Sequence, residues 1–161
     1  MGDIENLKDP HPMTKRVIAI ASAGGHWQQL MLLRPAYEDH RVTYLTTLAG
    51  LAERFDATPA YRVPDCNRNT ILRMVATTLV LAWHMLRIRP HAVITTGAMP
   101  GLIALTLGRV IGAQTIWVDS VANAEKMSSS GKLARRVAHL RLSQWQSVAE
   151  AEGAEFAGRL L

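Results

Sequence analysis

Three short stretches of this 161-residue sequence carry residue types that can do chemistry. Ser22-Ala23-Gly24-Gly25-His26 sets an imidazole beside two glycines. An imidazole titrates near neutrality, so His26 can act as a general base or as a phosphate partner. Gly24 and Gly25 let the backbone come close to a ligand, and a helix starting behind them favours an anion. A plain tight turn with a structural histidine is the simpler alternative. Gly97-Ala98-Met99-Pro100-Gly101 repeats this logic. Pro100 suits a first helical turn, where its missing N–H is not needed. Gly97, Pro100 and Gly101 are therefore expected, with Gly24 and Gly25, to form loops facing a diphosphate. The third stretch, Trp117-Val118-Asp119-Ser120, supplies a carboxylate. Asp119 is a candidate second polar group near a reacting hydroxyl, with a loop or helix cap as the alternative.

Several chemistries are disfavoured. The dinucleotide fingerprint GxGxxG is absent, and the second predicted strand ends in Thr46-Thr47 with no acid to hold a ribose. Ser128-Ser129-Ser130-Gly131-Lys132 looks superficially like a phosphate loop. Lys126 stands where its first glycine belongs, and Leu133 where Ser or Thr is required. Those serines are read instead as a helix cap. No Ser-His-Asp order and no metal-ligand spacing stands out.

The elements that must position these loops alternate strand and helix. Arg16 to Ser22 is a short apolar run, as expected of a buried parallel strand. A helix follows through Leu30, Leu33 and Pro35. Strands are predicted over 41–46, 60–63, 92–96, 115–118 and 140–143. Helices are predicted over 70–89, ended by Pro90, over 102–111, with Gly112 behind it, and over 132–138. The pattern implies an α/β fold: one Rossmann-like domain with a parallel, doubly wound sheet. Ligands in such sheets sit at the carboxyl ends of the strands, so the loops after the first, fourth and fifth strands are where to look.

Composition sets the class. Hydrophobic residues make up 48% and charged residues 19%, enough apolar chain for a core. One cysteine, Cys66, cannot close an internal disulfide, so the cytosol is the default compartment. The first fifteen residues show no apolar run of a secretory signal, and residues 1–14 read as a loose tail ahead of a domain over 15–161. The net charge of +5 and pI near 9.9 fit a solvated basic surface or an anionic partner. No nucleic-acid module appears, so nucleic acid is not expected, and an anionic membrane surface is the better partner. The long helix supports it. Met74 to Met85 has no formal charge, Arg73 precedes it, and Arg87 and Arg89 follow. A span needs about 20 apolar residues, so this stretch reads as too short to cross. It is expected as a buried domain helix or as one lying at the membrane interface, with Trp83 at interface depth, and both readings can hold on different faces.

The motifs now suggest a family. Ala23-Gly24-Gly25-His26, Ile94 to Gly101, Trp117 to Ser120, Ser128 to Lys132 and Gln144-Trp145 occur in family order. From about Val17 to Leu161 the sequence resembles the oligosaccharide-biosynthesis subunit that anchors the eukaryotic dolichyl-diphosphate N-acetylglucosaminyltransferase, and more closely the bacterial exopolysaccharide proteins of the PssD type. The first two loops also resemble the N-terminal half of MurG-type transferases. The resemblance implies a GT-B glycosyltransferase cut in two. This chain would be its N-terminal, acceptor-side half, acting peripherally at the cytoplasmic face of the inner membrane. A PssE-type subunit, similar to the C-terminal half of MurG, would bind the UDP-sugar. The acceptor would be a sugar on polyprenyl diphosphate, and neither metal nor cofactor is implied. The alternative is a non-catalytic membrane scaffold that recruits a catalytic partner.

Departures from the family pattern bear on the roles. Gln29 stands where some members carry Glu, so no carboxylate role passes to it. His91 replaces the usual Asp after the helix-ending proline, and Asp119 stands where some relatives have Glu. Membrane-spanning members have an N-terminal hydrophobic helix that this sequence does not show. Membrane contact is then expected from Arg73, Trp83, Arg87, Arg89 and the surface around them.

Overall fold

A computed structural model describes residues 14–161. The expected tail over residues 1–14 falls, apart from Thr14, outside the described residues. Seven parallel strands form one sheet in the order β3-β2-β1-β4-β5-β6-β7. They are β1 (Arg16–Ala21), β2 (Arg41–Thr46), β3 (Ala60–Arg62), β4 (Ala92–Thr95), β5 (Gln114–Val118), β6 (Leu140–Ser143) and β7 (Glu155–Phe156). The helices are α1 (Gly25–Leu32), α2 (Ile71–Ile88), α3 (Ala98–Val110), α4 (Ser129–Ala134) and α5 (Gln146–Glu152).

The two-residue period of β1 decides which layer covers which face. Ile18 and Ile20 point into a core built with Leu81 and Met85 of α2, Leu102 and Leu105 of α3 and Ala134 of α4. Val17, Ala19 and Ala21 point the other way, into a core with Trp27 and Leu30 of α1, Tyr37 and Tyr44. A run that is apolar at every position can serve both faces, as a strand buried between two helical layers must. Two glycines let α3 lie close on β4. A Cβ at Gly101 would meet Thr95 Oγ1 at 2.1 Å, and one at Gly108 would meet Val93 Cγ2 at 2.8 Å.

Strand order settles where a ligand can bind. The chain runs outward from β1 through β2 to β3, then crosses back to β4 and runs outward the other way. The order therefore reverses between β1 and β4, and the crevice outside the carboxyl ends of these two strands is the topological switch point. The loops after β1 and β4, which hold His26 and Gly97, flank it.

The last elements were not anticipated. β7 has two residues and α5 seven, too few for a periodic signal to rise above the local composition. Helix α3 begins at Ala98 rather than Leu102, because Gly97 takes φ 137° and turns the chain directly into it.

Candidate functional site at the switch point

Gly24, at φ 79°, turns the chain from β1 into α1, which starts at Gly25 with His26 in its first turn. The ring is held from the neighbouring loop. Its Nδ1 lies 2.8 Å from the Thr96 carbonyl oxygen, and Thr96 Oγ1 donates back to the His26 carbonyl at 2.6 Å. A carbonyl can only accept, so Nδ1 carries the proton and Nε2 is the nitrogen able to take one. Gly97 makes room for the ring. A Cβ there would lie 2.5 Å from His26 Cε1 and 2.6 Å from Nδ1. The loops after β1 and β4 thus form one unit.

His26 lines a cleft of about 250 Å³ together with Ala98, Ser120, Asn123 and Ser128 to Ser130. The amino ends of α1 and α3 meet here, and Gly24 and Gly25 are exposed. Helix amino ends present N–H groups and partial positive charge, which suits an anionic group. Three of the five positions expected to face a diphosphate have their backbone engaged or buried. The Gly97 amide already donates to Thr95 Oγ1 at 3.2 Å. Pro100 has no N–H and is buried, and Gly101 is buried with its Cα against Thr95. In this loop the amides of Ala98 and Met99, in the first turn of α3, are the ones without an intrahelical partner. Ala98 takes φ 66°, an uncommon conformation for a residue with a side chain.

Asp119 stands behind the cleft wall. It is 2% exposed. Oδ1 accepts from Trp117 Nε1 at 3.0 Å and Ser128 Oγ at 2.6 Å. Oδ2 accepts from Asn123 Nδ2 at 2.9 Å and the Ser128 amide at 3.0 Å. Ser128 in turn caps α4, its hydroxyl oxygen accepting from the Gly131 amide at 2.9 Å. The carboxylate and His26 belong to adjoining loops, but their settings differ. His26 reaches the cleft, whereas both Asp119 oxygens are spent on holding the Ser120–Ser128 loop in shape.

Two residues that sequence reasoning assigned no role tie the loops together. Gln29 is buried on α1 one turn after His26. Its Nε2 donates to the Gly25 carbonyl and to Ser120 Oγ, each at 3.1 Å. Its Oε1 accepts from the Val121 amide at 2.9 Å and from Gln144 Nε2 at 2.6 Å. Gln144 also donates to the Asp119 carbonyl at 3.0 Å and accepts from the Leu160 amide at 3.1 Å. An amide side chain both donates and accepts, so Gln29 serves this junction where a carboxylate could only accept. The available signal was spacing: Gln29 lies three residues after His26, one turn along the same helix.

The long helix divides by face. Thr77, Leu81, His84 and Met85 are buried, Leu81 and Met85 in the core shared with the sheet and α3. Leu72, Val75, Leu79, Trp83 and Leu86 form an exposed stripe at spacings of three and four, with Leu72 87% exposed. Arg73, Arg87 and Arg89 are exposed, and the Arg87 guanidinium lies 5.3 Å from the Trp83 ring centroid. The helix runs 18 residues with mean hydropathy 1.4, so by length and composition alone it is long and apolar enough to cross a membrane, contrary to the shorter reading from sequence. One such helix is weak evidence of a span, and its buried face is part of the domain core. Among the described residues no cluster of three metal-ligating side chains occurs.

Neither a protein-family profile nor a curated protein sequence matches the chain. Solved structures do. Acinetobacter baumannii MurG superposes with TM-score 0.67 at 17% identity, over 81% of this chain and 41% of its own. UDP-N-acetylglucosamine 2-epimerase from Rickettsia bellii gives TM-score 0.69 at 11% identity, over 91% and 45%. Anabaena HepE in complex with UDP-glucose gives 0.58 at 12%, over 88% and 41%. The domain has the fold of one half of a GT-B enzyme. It spans under half the length of each of these proteins, and at such identities the likeness is one of fold.

Proposed function

We propose that this GT-B-like domain is the acceptor-side subunit of a two-subunit glycosyltransferase of exopolysaccharide synthesis. It would pass a sugar from a UDP-sugar to a saccharide on polyprenyl diphosphate at the cytoplasmic face of the inner membrane. The observation that carries this reading is His26. It sits at the switch point between two helix amino ends, with Nδ1 committed to Thr96 and Nε2 left to accept a proton. In the reaction, an acceptor hydroxyl loses its proton to Nε2 while its oxygen attacks the anomeric carbon. The bond to UDP breaks, and configuration inverts. Gly24, Gly25 and the first amides of α3 would face the acceptor diphosphate. Asp119 would act as a positioning residue for the loop that closes the cleft. The donor site would come from a partner similar to the C-terminal half of MurG, as the motif resemblance implies. The stripe on α2, with Arg73, Arg87 and Arg89, would rest on the anionic membrane.

The scaffold reading draws on one feature. Among the described residues His26 is the one titratable side chain lining the cleft. The two readings part on His26→Ala assayed with the partner subunit present. A general base contributes on the order of 10²-fold or more, so turnover should fall by that much while partner binding holds. Normal turnover would leave the scaffold.

A further inference from the structure

A second cavity opens at the opposite edge of the sheet. It has a volume of about 570 Å³, larger than the cleft at the switch point. Lys15 and Arg16 enter it from the start of β1, Leu86 and Arg89 from the end of α2, His91 from the start of β4, and Ile111 from the end of α3. Three fixed cations and an imidazole share this space, and among the described residues no carboxylate lines it. The two ion pairs among the described residues lie elsewhere.

Hydrogen bonds sort the roles. Arg16 Nε donates to the carbonyls of Ile88 and Arg89 at 2.8 and 2.9 Å and so caps the negative end of α2. Among the described residues, the side chains of Lys15 and Arg89 have no such carbonyl to serve. The His91 Nδ1 accepts the Arg16 amide at 3.0 Å, so its proton sits on Nε2 and that nitrogen is a donor. Donors without acceptors recognise an anion. His91 matters here because the resemblance leads to Asp at this position, which would repel one.

The cavity is also joined to the apolar stripe. Leu86 is 68% exposed and Ile111 41%, and Trp83 lies one turn back along α2. A phosphate with an apolar tail fits both halves, and a free phosphate fits one. We propose that this cleft holds the phosphodiester headgroup of an anionic membrane phospholipid, with its acyl chains beside Leu86 and Ile111. The site is separate from the acceptor's. Helix α2 runs from the carboxyl edge of the sheet to the amino edge, a rise of about 27 Å for its length. The inference rests on the membrane-facing reading of α2 and not on the transferase reading.

The test uses the full chain and sedimentation with phosphatidylcholine vesicles, with and without phosphatidylglycerol. The variant is Lys15→Gln with Arg89→Asn. Asparagine suits position 89 because Arg89 ends α2 in the left-handed region at φ 49°, which asparagine tolerates. A control, Arg54→Gln with Arg62→Gln, removes equal charge from exposed positions that do not line the cavity. The cleft variant should lose roughly thirtyfold in binding to phosphatidylglycerol vesicles, the effect of two cations at an anionic surface, and the control a few-fold at most. Equal losses in both would overturn the cleft while leaving a membrane-facing surface. No binding of the unaltered chain to any of these vesicles would overturn both. In parallel, dihexanoylphosphatidylglycerol below its micelle concentration should shift the His91 ring resonances. Inorganic phosphate shifting them at lower concentration would assign the cleft to free phosphate and refute the lipid.

Discussion

Asp119→Asn separates a residue that reacts from one that builds. The carboxylate accepts from four donors in two pairs. Asparagine keeps one oxygen, so one pair retains its acceptor and the other meets an NH2 group. If the oxygen stays with Trp117 and Ser128 Oγ, Asn123 can turn its own amide and present oxygen. The Ser128 backbone N–H cannot turn and loses its partner. An orphaned donor in a buried site costs about 1–3 kcal/mol, and weakening two charge-assisted bonds to neutral ones adds about 1 kcal/mol. The sum is roughly 2–4 kcal/mol. At about 2–4 °C per kcal/mol for a domain of this size, the Tm should drop by roughly 4–16 °C. Thermal melts followed by circular dichroism measure this for Asp119→Asn, Ser128→Ala and the double variant. The two changes share one network, so their effects should fall short of additivity by about 1 kcal/mol or more. With the partner subunit present, turnover should fall in both single variants, because both loosen the same cleft wall. An unchanged Tm in Asp119→Asn, with turnover lost there and normal in Ser128→Ala, would refute the positioning role and restore a direct one.

Other outcomes follow from the same geometry. Gly97→Ala places a methyl 2.5 Å from the His26 ring on a backbone at φ 137° and ψ −169°, a region essentially reserved for glycine. It should lower stability by about 1–3 kcal/mol from backbone strain alone and perturb the His26 resonances, and a melt within error of the parent would count against the loop coupling. His84 is buried 4.9 Å from the Tyr61 ring, and burial first, then the Arg87 charge, holds its imidazole below the ordinary histidine range. The unfolded chain therefore takes up a proton first as pH falls below about 6.5, so stability is full above that pH and declines beneath it. Urea midpoints at pH 5 and pH 7.5 should differ less in His84→Gln than in the parent, and equal differences would remove His84 as the cause. Calorimetry of the isolated chain with UDP-sugars should show weak binding or none, and micromolar affinity would contradict a donor site supplied by a partner.

Much of the fold was legible because its signals are local. Six strands announce themselves as short apolar runs between turns, and Pro90 and Gly112 mark helix ends through chemistry that depends on their own backbones. The two glycine loops and His26 could be singled out by residue type and by their place at strand ends. The basic, apolar helix could be singled out by its flanking arginines and uncharged stretch, but which face is buried was shown only by the structure.

Tertiary structure decided what depends on residues distant in the chain. Strand order is set by which faces the crossover helices cover, and it alone puts the reversal between β1 and β4, where His26 meets Thr96 across 70 positions. Gly101 looked like a loop glycine and is a packing glycine, because helix α3 lies on Thr95. Asp119 looked like a reactive acid and is surrounded by four donors, two of them from Ser128, nine residues on. Gln29 and Gln144 are 115 positions apart, and their 2.6 Å bond exists only once β6 has paired beside β5. Residue type limits which chemistry a side chain can offer. Whether it faces a substrate or a neighbour is settled by burial, and burial is a property of the assembled core.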